Sequence, residues 1–187
     1  METLLCSRSH SHQSRTPSAM VYRLSLASDA NAATTATLTR ACGIPLPAID
    51  GANDVIDETL DMFRANVLFR KFDVAHEADK LLAMLTATCA SALRRLANAR
   101  DRNEGERIAK EFASETFAIP GDGDFEFPGL FPVAETRREA DAYRAFMKRA
   151  REAIATRLVD RCFDKDTGAP NKFWMAFAKR KFMNIKT

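Results

Sequence analysis

The sequence predicts an all-α fold: a compact single domain of about five helices around one core, with a disordered or extended N-terminal arm. Apolar residues recur every three or four positions through most of residues 52–187, which is the spacing of one buried helix face. No stretch alternates apolar and polar residues clearly enough to predict a strand. Hydrophobic residues make up 46% of the 187 residues, so a core can form without disulfides or metal ions.

Residues 1–51 are predicted to form a tail and an extended arm, and residues 52–187 the helical domain. Nothing in the first 51 positions keeps a helical period. The Ala- and Thr-rich stretch 31–39 offers a helix no apolar stripe to bury. Pro45 and Pro47 then interrupt any helix, because proline lacks the backbone N–H and restricts the residue before it.

The extreme N-terminus carries no strong targeting signal. Leu4 and Leu5 are too few for a signal peptide, and no apolar run nears the roughly 20 residues of a membrane helix. Residues 7–18 are rich in Ser, Arg and His and fit a weak transit peptide, but a disordered tail or a start at Met20 explains them better. The expected location is the cytoplasm, without membrane insertion.

Two helices are predicted after the arm. Asn53 or Asp54 caps the first helix, which ends near Phe69. Its apolar stripe consists of Ile56, Leu60, Phe63 and Val67. Asp73 caps the second helix, which covers residues 74–99. Its apolar stripe consists of Leu82, Leu85, Cys89, Leu93 and Leu96.

Three further helices complete the predicted domain. A short helix covers residues 106–115, and the Pro- and Gly-containing segment 117–129 follows as an extended stretch that its aromatic residues pin to a surface. A long helix covers residues 135–162 and ends at the turn formed by residues 164–170. A last helix covers residues 171–184.

Two local patterns resemble metal sites but lack the residues that such sites require. A zinc-protease helix that begins at His76 would need a second histidine where the chain has Lys80. The acidic residues there are better explained as stabilising a helix N-terminus. A calcium loop that begins at Asp122 would need a glycine at Phe127 and an acid at Val133. Both sites are therefore rejected, including the loop's other candidate ligands, Asp124 and Glu126.

The local motifs do not indicate an enzyme, and the net charge does not indicate a nucleic-acid partner. Cys89 and Cys162 fall on apolar helix positions and are expected to be small core residues, since the four cysteines form no CxxC pair. A net charge of +3 is too small to predict a nucleic-acid partner. No catalytic residue, cofactor-binding residue or metal ligand is predicted.

The C-terminal segment 171–184 combines aromatic and basic residues. At about 100° per residue, its aromatics would sweep about 180° of one helix, more than one core contact needs. The predicted partner-binding residues are Lys172, Phe173, Trp174, Phe177, Lys179, Arg180, Lys181 and Phe182. Trp174 and Phe177 are expected to be core or hot-spot residues, and Lys179 and Arg180 to be pure partner contacts.

Three interpretations of this segment stay open. It is a terminal helix docked on its own core, a helix shared between the core and a partner protein, or a basic aromatic helix on a membrane or nucleic acid. The third is the least supported, because the basic residues are few and flank a single turn.

Several motifs, in order along the chain, resemble those of subunit 3 of the actin-related protein 2/3 complex. They are FRANVLF at 63–69, EAD at 77–79, FAIPG at 117–121, RL at 157–158, FD at 163–164, PNKFW at 170–174 and FAKRKFMN at 177–184. The C-terminal motif is the specific one. Phe173-Trp174 stands where the family tends to have two adjacent tryptophans.

The resemblance implies a compact all-α fold and a structural role without nucleotide binding. It implies that the chain packs against an actin-related subunit of a complex that nucleates branched actin filaments. The expected partners are therefore actin-related proteins, other subunits of the same complex and, through it, actin filaments. A free-standing helical protein-interaction adaptor is the alternative.

Overall fold

The computed structural model describes residues 23–28, 36–68 and 74–184. The helices with complete bounds are α1 Val55–Asn66, α2 Glu77–Leu96, α3 Arg102–Ser114, α4 Arg137–Cys162 and α5 Lys172–Met175. Two strands, β1 Arg40–Ala41 and β2 Ile44–Pro45, form an antiparallel hairpin, and 3-10 turns occupy Ser25–Ala27 and Phe182–Asn184. The predicted all-α class with about five helices is confirmed.

α2 is the central helix of the core. Fifteen of its twenty residues are buried, and a helix that is apolar nearly all round belongs inside a domain. α1, α3 and α4 pack around it, and α4 also packs along α3. Cys89 and Cys162 are both fully buried in this core, as predicted.

Helix caps explain where the predicted boundaries differ from the observed ones. Asp54 caps α1 as predicted, accepting the backbone N–H of Ile56 at 2.9 Å. α2 begins at Glu77, because Asp79 reaches back to accept the N–H of His76 at 2.8 Å.

The predicted cap Asp73 and the predicted α1 end at Phe69 lie outside the described residues. α3 begins earlier than predicted, because Asp101 accepts the N–H of Glu104 at 2.9 Å.

The hairpin corrects the prediction that the chain has no strand. Cys42 and Gly43 form its two-residue turn with φ of 50° and 72°, the positive values that hairpin turns require. Ala41 and Ile44 are fully buried, and the Cys42 N–H donates to Glu139 of α4 at 2.7 Å. The hairpin is thus held by tertiary contacts, which local periodicity does not reveal. Residues 36 and 37 are helical, also contrary to prediction.

The segment between α3 and α4 is packed by its aromatic residues, as predicted, but it forms a series of turns and is not extended. Phe127 and Phe131 are buried with ring centroids 5.5 Å apart, and Phe125 meets Phe131 edge-on at 5.5 Å. Asp122 accepts the N–H of Ile119 at 2.8 Å. This carboxylate therefore fixes a turn.

Candidate partner-binding surface

The C-terminal segment folds back onto the domain directly after α4. The Asn171 N–H donates to the carbonyl of Cys162 at 2.7 Å, and Phe163 pairs with Pro170 in an isolated bridge. Asp164 holds the intervening turn by accepting the Thr167 N–H and hydroxyl, both at 2.8 Å. The Thr167 hydrogen bonds lower the pKa of Asp164.

The segment is not the single helix that was predicted for residues 171–184. α5 ends at Met175, after which the N–H groups of Phe177, Ala178 and Arg180 donate to carbonyls three residues earlier. These i→i+3 bonds wind the chain more tightly than an α-helix. Met183 then takes a positive φ of 48°. The predicted aromatic arc therefore does not exist as one helix face.

The predicted partner-binding residues divide into an inner and an outer set. Trp174 and Phe182 are buried, together with Ala178, and face the core. Phe177 is half-buried. Phe173 is 78% exposed. The basic members are all exposed: Lys172, Lys179, Arg180 and Lys181.

Trp174 anchors the segment on α1. Its ring stacks on Phe63 at a centroid distance of 6.0 Å with an interplanar angle of 6°. The guanidinium carbons of Arg64 and Arg161 lie 5.7 and 5.9 Å from the indole centroid. An indole face attracts cations at such distances, so Trp174 contacts both α1 and α4 side chains.

Several ion pairs join α1 and its N-cap to α4. Arg157 donates to both carboxylate oxygens of Asp54 at 2.6 and 2.7 Å. Arg161 donates to Asp61 at 2.6 Å. Burial raises the pKa of Asp54, but hydrogen bonds from Arg157 and from backbone N–H groups outweigh it and lower this pKa to about 2.

A groove beside the segment adds residues that the sequence prediction missed. It measures about 480 Å³ and is lined by Asp61, Met62, Arg64, Ala65 and Phe177. Leu68, just beyond the end of α1, is 54% exposed. The sequence alone could have indicated these residues, because Met62, Ala65 and Leu68 are apolar but lie off the predicted α1 stripe.

Within residues 23–28, 36–68 and 74–184, no cluster of His, Cys, Asp or Glu side chains is arranged to hold a metal ion. Over the same part of the chain, no helix has the length and apolar character needed to cross a bilayer. The buried thiols of Cys89 and Cys162 have raised pKa values because burial disfavours the thiolate.

Sequence comparisons place the chain in a known family. The sequence model described as P21-Arc, the ARP2/3 complex ARPC3 (21 kDa) subunit, matches residues 19–187. The chain belongs to this family. The match covers all five α-helices, the hairpin and the whole C-terminal segment, and it confirms the family that the motifs indicated.

Several curated proteins of the same family are similar over most of their length. Actin-related protein 2/3 complex subunit 3 of Arabidopsis thaliana is 38% identical over 160 residues, covering 79% of this chain and 91% of the relative. The protein of that name from Dictyostelium discoideum is 38% identical over 141 residues, with coverages of 75% and 80%. The one from Saccharomyces cerevisiae is 31% identical over 134 residues, with coverages of 70% and 75%.

Proposed function

We propose that this chain is a non-catalytic structural subunit of an ARP2/3 complex and supports nucleation of branched actin filaments in the cytoplasmic actin cytoskeleton. The observation that carries the proposal is the family match over residues 19–187, which includes every described element from the hairpin onward. Relatives with similarity over most of their length are named as subunit 3 of the complex. The partners are then actin-related proteins and the other subunits, with actin filaments contacted through the complex.

The geometry of the described residues fits a structural role. The polar side chains that lie close together, such as Arg157 with Asp54 and Asp79 with the N-terminus of α2, are engaged in caps and interhelical ion pairs. Such groups stabilise the fold and leave the outer surface for association. A free-standing adaptor is disfavoured, because the match extends through the core as well as the surface.

The test is a pull-down of the tagged full-length chain from native lysate, with every recovered protein identified. A constitutive subunit should be recovered in stoichiometric amounts with two actin-related proteins, and gel filtration should place it in a large species. A chain that elutes only at the size of a monomer would contradict the proposal. An adaptor would instead give substoichiometric recovery that declines on washing.

A further inference from the structure

We propose that the outer face of residues 172–181 is an assembly surface that receives an acidic patch on a neighbouring subunit. In this arrangement the Phe173 ring enters an apolar pocket of the partner, and the exposed cations of the segment meet carboxylates. The inference rests on the proposed function, because it assigns the surface to contact within a protein complex. It adds the segment that makes the contact and the chemistry of the surface that it contacts.

Phe173 has the properties of a preformed apolar anchor. Its side chain is 78% exposed, more than Leu68 or Val133, the other large apolar residues exposed in the described ranges. Its backbone is fixed, because the Asn171 side chain accepts the Phe173 N–H at 3.0 Å and the next residue, Trp174, is buried. An aromatic side chain on a fixed backbone loses little freedom on binding, and such residues are common hot spots.

The charged side chains of this segment are all positive. Lys172, Lys179, Arg180 and Lys181 are exposed. Over the described residues, none of the four forms an ion pair. The sequence from Asn171 to Asn184 contains no acidic residue. Elsewhere on the surface, by contrast, Arg102 and Arg107 are paired with Asp160 and Glu111. A local excess of positive charge favours an acidic partner surface and repels a basic one.

The inner side of the segment holds this surface in place. Trp174, Ala178 and Phe182 are buried at intervals of four residues. The basic residues between Ala178 and Phe182 are exposed, because the buried positions on either side face the core. Phe173 and the four cations therefore lie on the exposed side of a short, well-anchored segment, and interfaces commonly combine such an apolar residue with polar ones.

A protein partner fits these observations better than a membrane or a nucleic acid. An interfacial membrane helix needs a continuous apolar face, whereas α5 has four residues and Trp174 is turned into the core. Single-stranded nucleic acid is bound by stacking successive bases on exposed aromatics. Among the segment's aromatics, only Phe173 is largely exposed, since Phe177 is half-buried and Phe182 is buried.

The experiment is a competition for incorporation into the complex. Full-length wild-type chain and a variant carry different tags and are co-expressed at equal levels. The complex is then isolated through another subunit, and the ratio of the two tags is measured. Lys179→Glu with Arg180→Glu should lower the incorporated share at least about tenfold, because reversed charges face like charges on the partner. Phe173→Ala should lower it by a similar factor.

The matched control is Arg137→Glu with Arg138→Glu. These two exposed residues lie at the start of α4, where acidic side chains suit the helix N-terminus. The control makes the same change in net charge away from residues 172–181, and it should incorporate like wild type. Circular dichroism of each full-length variant checks that the fold is kept, as expected for exposed positions.

The outcomes separate this inference from the proposed function. Failure of the wild-type chain to enter the complex would overturn the proposed function itself. Normal entry of both test variants would overturn only the surface assigned to residues 172–181. Equal loss in the control pair would also overturn it, since the effect would then follow net charge. The wild-type chain is also tested for cosedimentation with phosphatidylserine-containing vesicles. Cosedimentation that Lys179→Glu with Arg180→Glu abolishes would show that the surface binds membranes, and it would overturn the inference.

Discussion

At the scale of single residues, Asp54 shows how one carboxylate joins two helices. It caps α1 through the N–H groups of Ile56 and Asp57 and accepts two hydrogen bonds from Arg157 of α4. Its side chain is only 4% exposed, so the ion pair is less screened by water than one on the surface. The position of α1 against α4 therefore depends on the charge of Asp54 as well as on apolar packing.

Replacing Asp54 by asparagine tests this charge without removing the cap, because Asn caps helices as well as Asp. The free energy of unfolding at pH 7 is expected to fall by about 1–2 kcal/mol, allowing for partial screening. The folded-state pKa of about 2 lies below the ordinary 3.8. The stabilisation is therefore complete above about pH 4 and is lost as the pH falls through about 2.

Urea unfolding of both proteins between about pH 3 and pH 7 measures the effect. The difference between wild type and Asp54→Asn should be constant from about pH 7 to about pH 4 and should shrink between about pH 4 and pH 3. A difference that is as large at about pH 3 as at pH 7 would show that the substituted amide disturbs packing and that the charge contributes nothing. Asp54→Ala serves as the comparison, because it removes the cap too and should keep a penalty of roughly 0.5–2 kcal/mol at low pH.

At the scale of elements, the C-terminal segment carries a buried aromatic residue beside an exposed one. Trp174 is 8% exposed and stacks on Phe63, whereas its neighbour Phe173 is 78% exposed. Two adjacent aromatics thus serve opposite sides of one short element. The same motif that indicated the family contains both a core residue and a candidate interface residue.

Alanine substitution at these two positions should give very different stabilities. Trp174→Ala removes a buried ring and is expected to cost about 3–5 kcal/mol. Phe173→Ala removes an exposed ring and should stay within about ±0.5 kcal/mol. Chemical denaturation of the two full-length variants, followed by circular dichroism, measures both. Equal losses would mean that Phe173 also belongs to the core of the chain.

How far the sequence predicts an element depends on whether local or tertiary interactions define it. The predicted 135–162 helix nearly matches α4, because its caps and apolar stripe are local features. The predicted 171–184 helix does not, because the buried side chains of Trp174 and Phe182 bend the chain to the core surface. The hairpin was missed for a related reason, since its turn residue Cys42 is held by Glu139, almost a hundred positions away.

The sequence predicted which segment holds the candidate site, but it did not predict which side chains of that segment are exposed. Periodicity alone could not tell that Phe173 faces outward and Phe182 inward, because the i→i+3 turns after α5 change the angle between successive side chains. The groove that Arg64 and Phe177 line could not be predicted from the sequence either, because it forms only when α1 and the C-terminal segment are neighbours in space.

At the scale of the whole molecule, the N-terminal arm contributes to the same core as the helices. Leu24, Ala41, Cys42 and Ile44 are almost fully buried. Arg23 donates to the buried carboxylate of Asp79 at the start of α2. The division of the chain at residue 51 stays a prediction, but these contacts mean that the arm and the helices share apolar packing and an ion pair.

Two deletions distinguish the tail from the arm. Removing residues 1–19 should change the melting temperature by no more than about 2 °C, because that stretch has no apolar periodicity and residues 1–18 lie outside the family match. Removing residues 1–46 takes away two large buried side chains, Leu24 and Ile44, each worth about 1.5–3 kcal/mol. The loss of at least about 3 kcal/mol should lower the melting temperature by about 6–12 °C or more.

Differential scanning calorimetry of the two deletions beside the full-length chain measures both effects. The longer deletion also removes Arg23, the cation paired with Asp79, and leaves this carboxylate with its hydrogen bonds from the backbone N–H groups of Ala75 and His76; removing the cation from such a pair is destabilising. Adding Asp79→Asn to the longer deletion should therefore restore part of the lost stability, whereas the same substitution in the full-length chain should destabilise it. A shorter deletion that lowers the melting temperature by several degrees would show that residues 1–19 are packed against the domain.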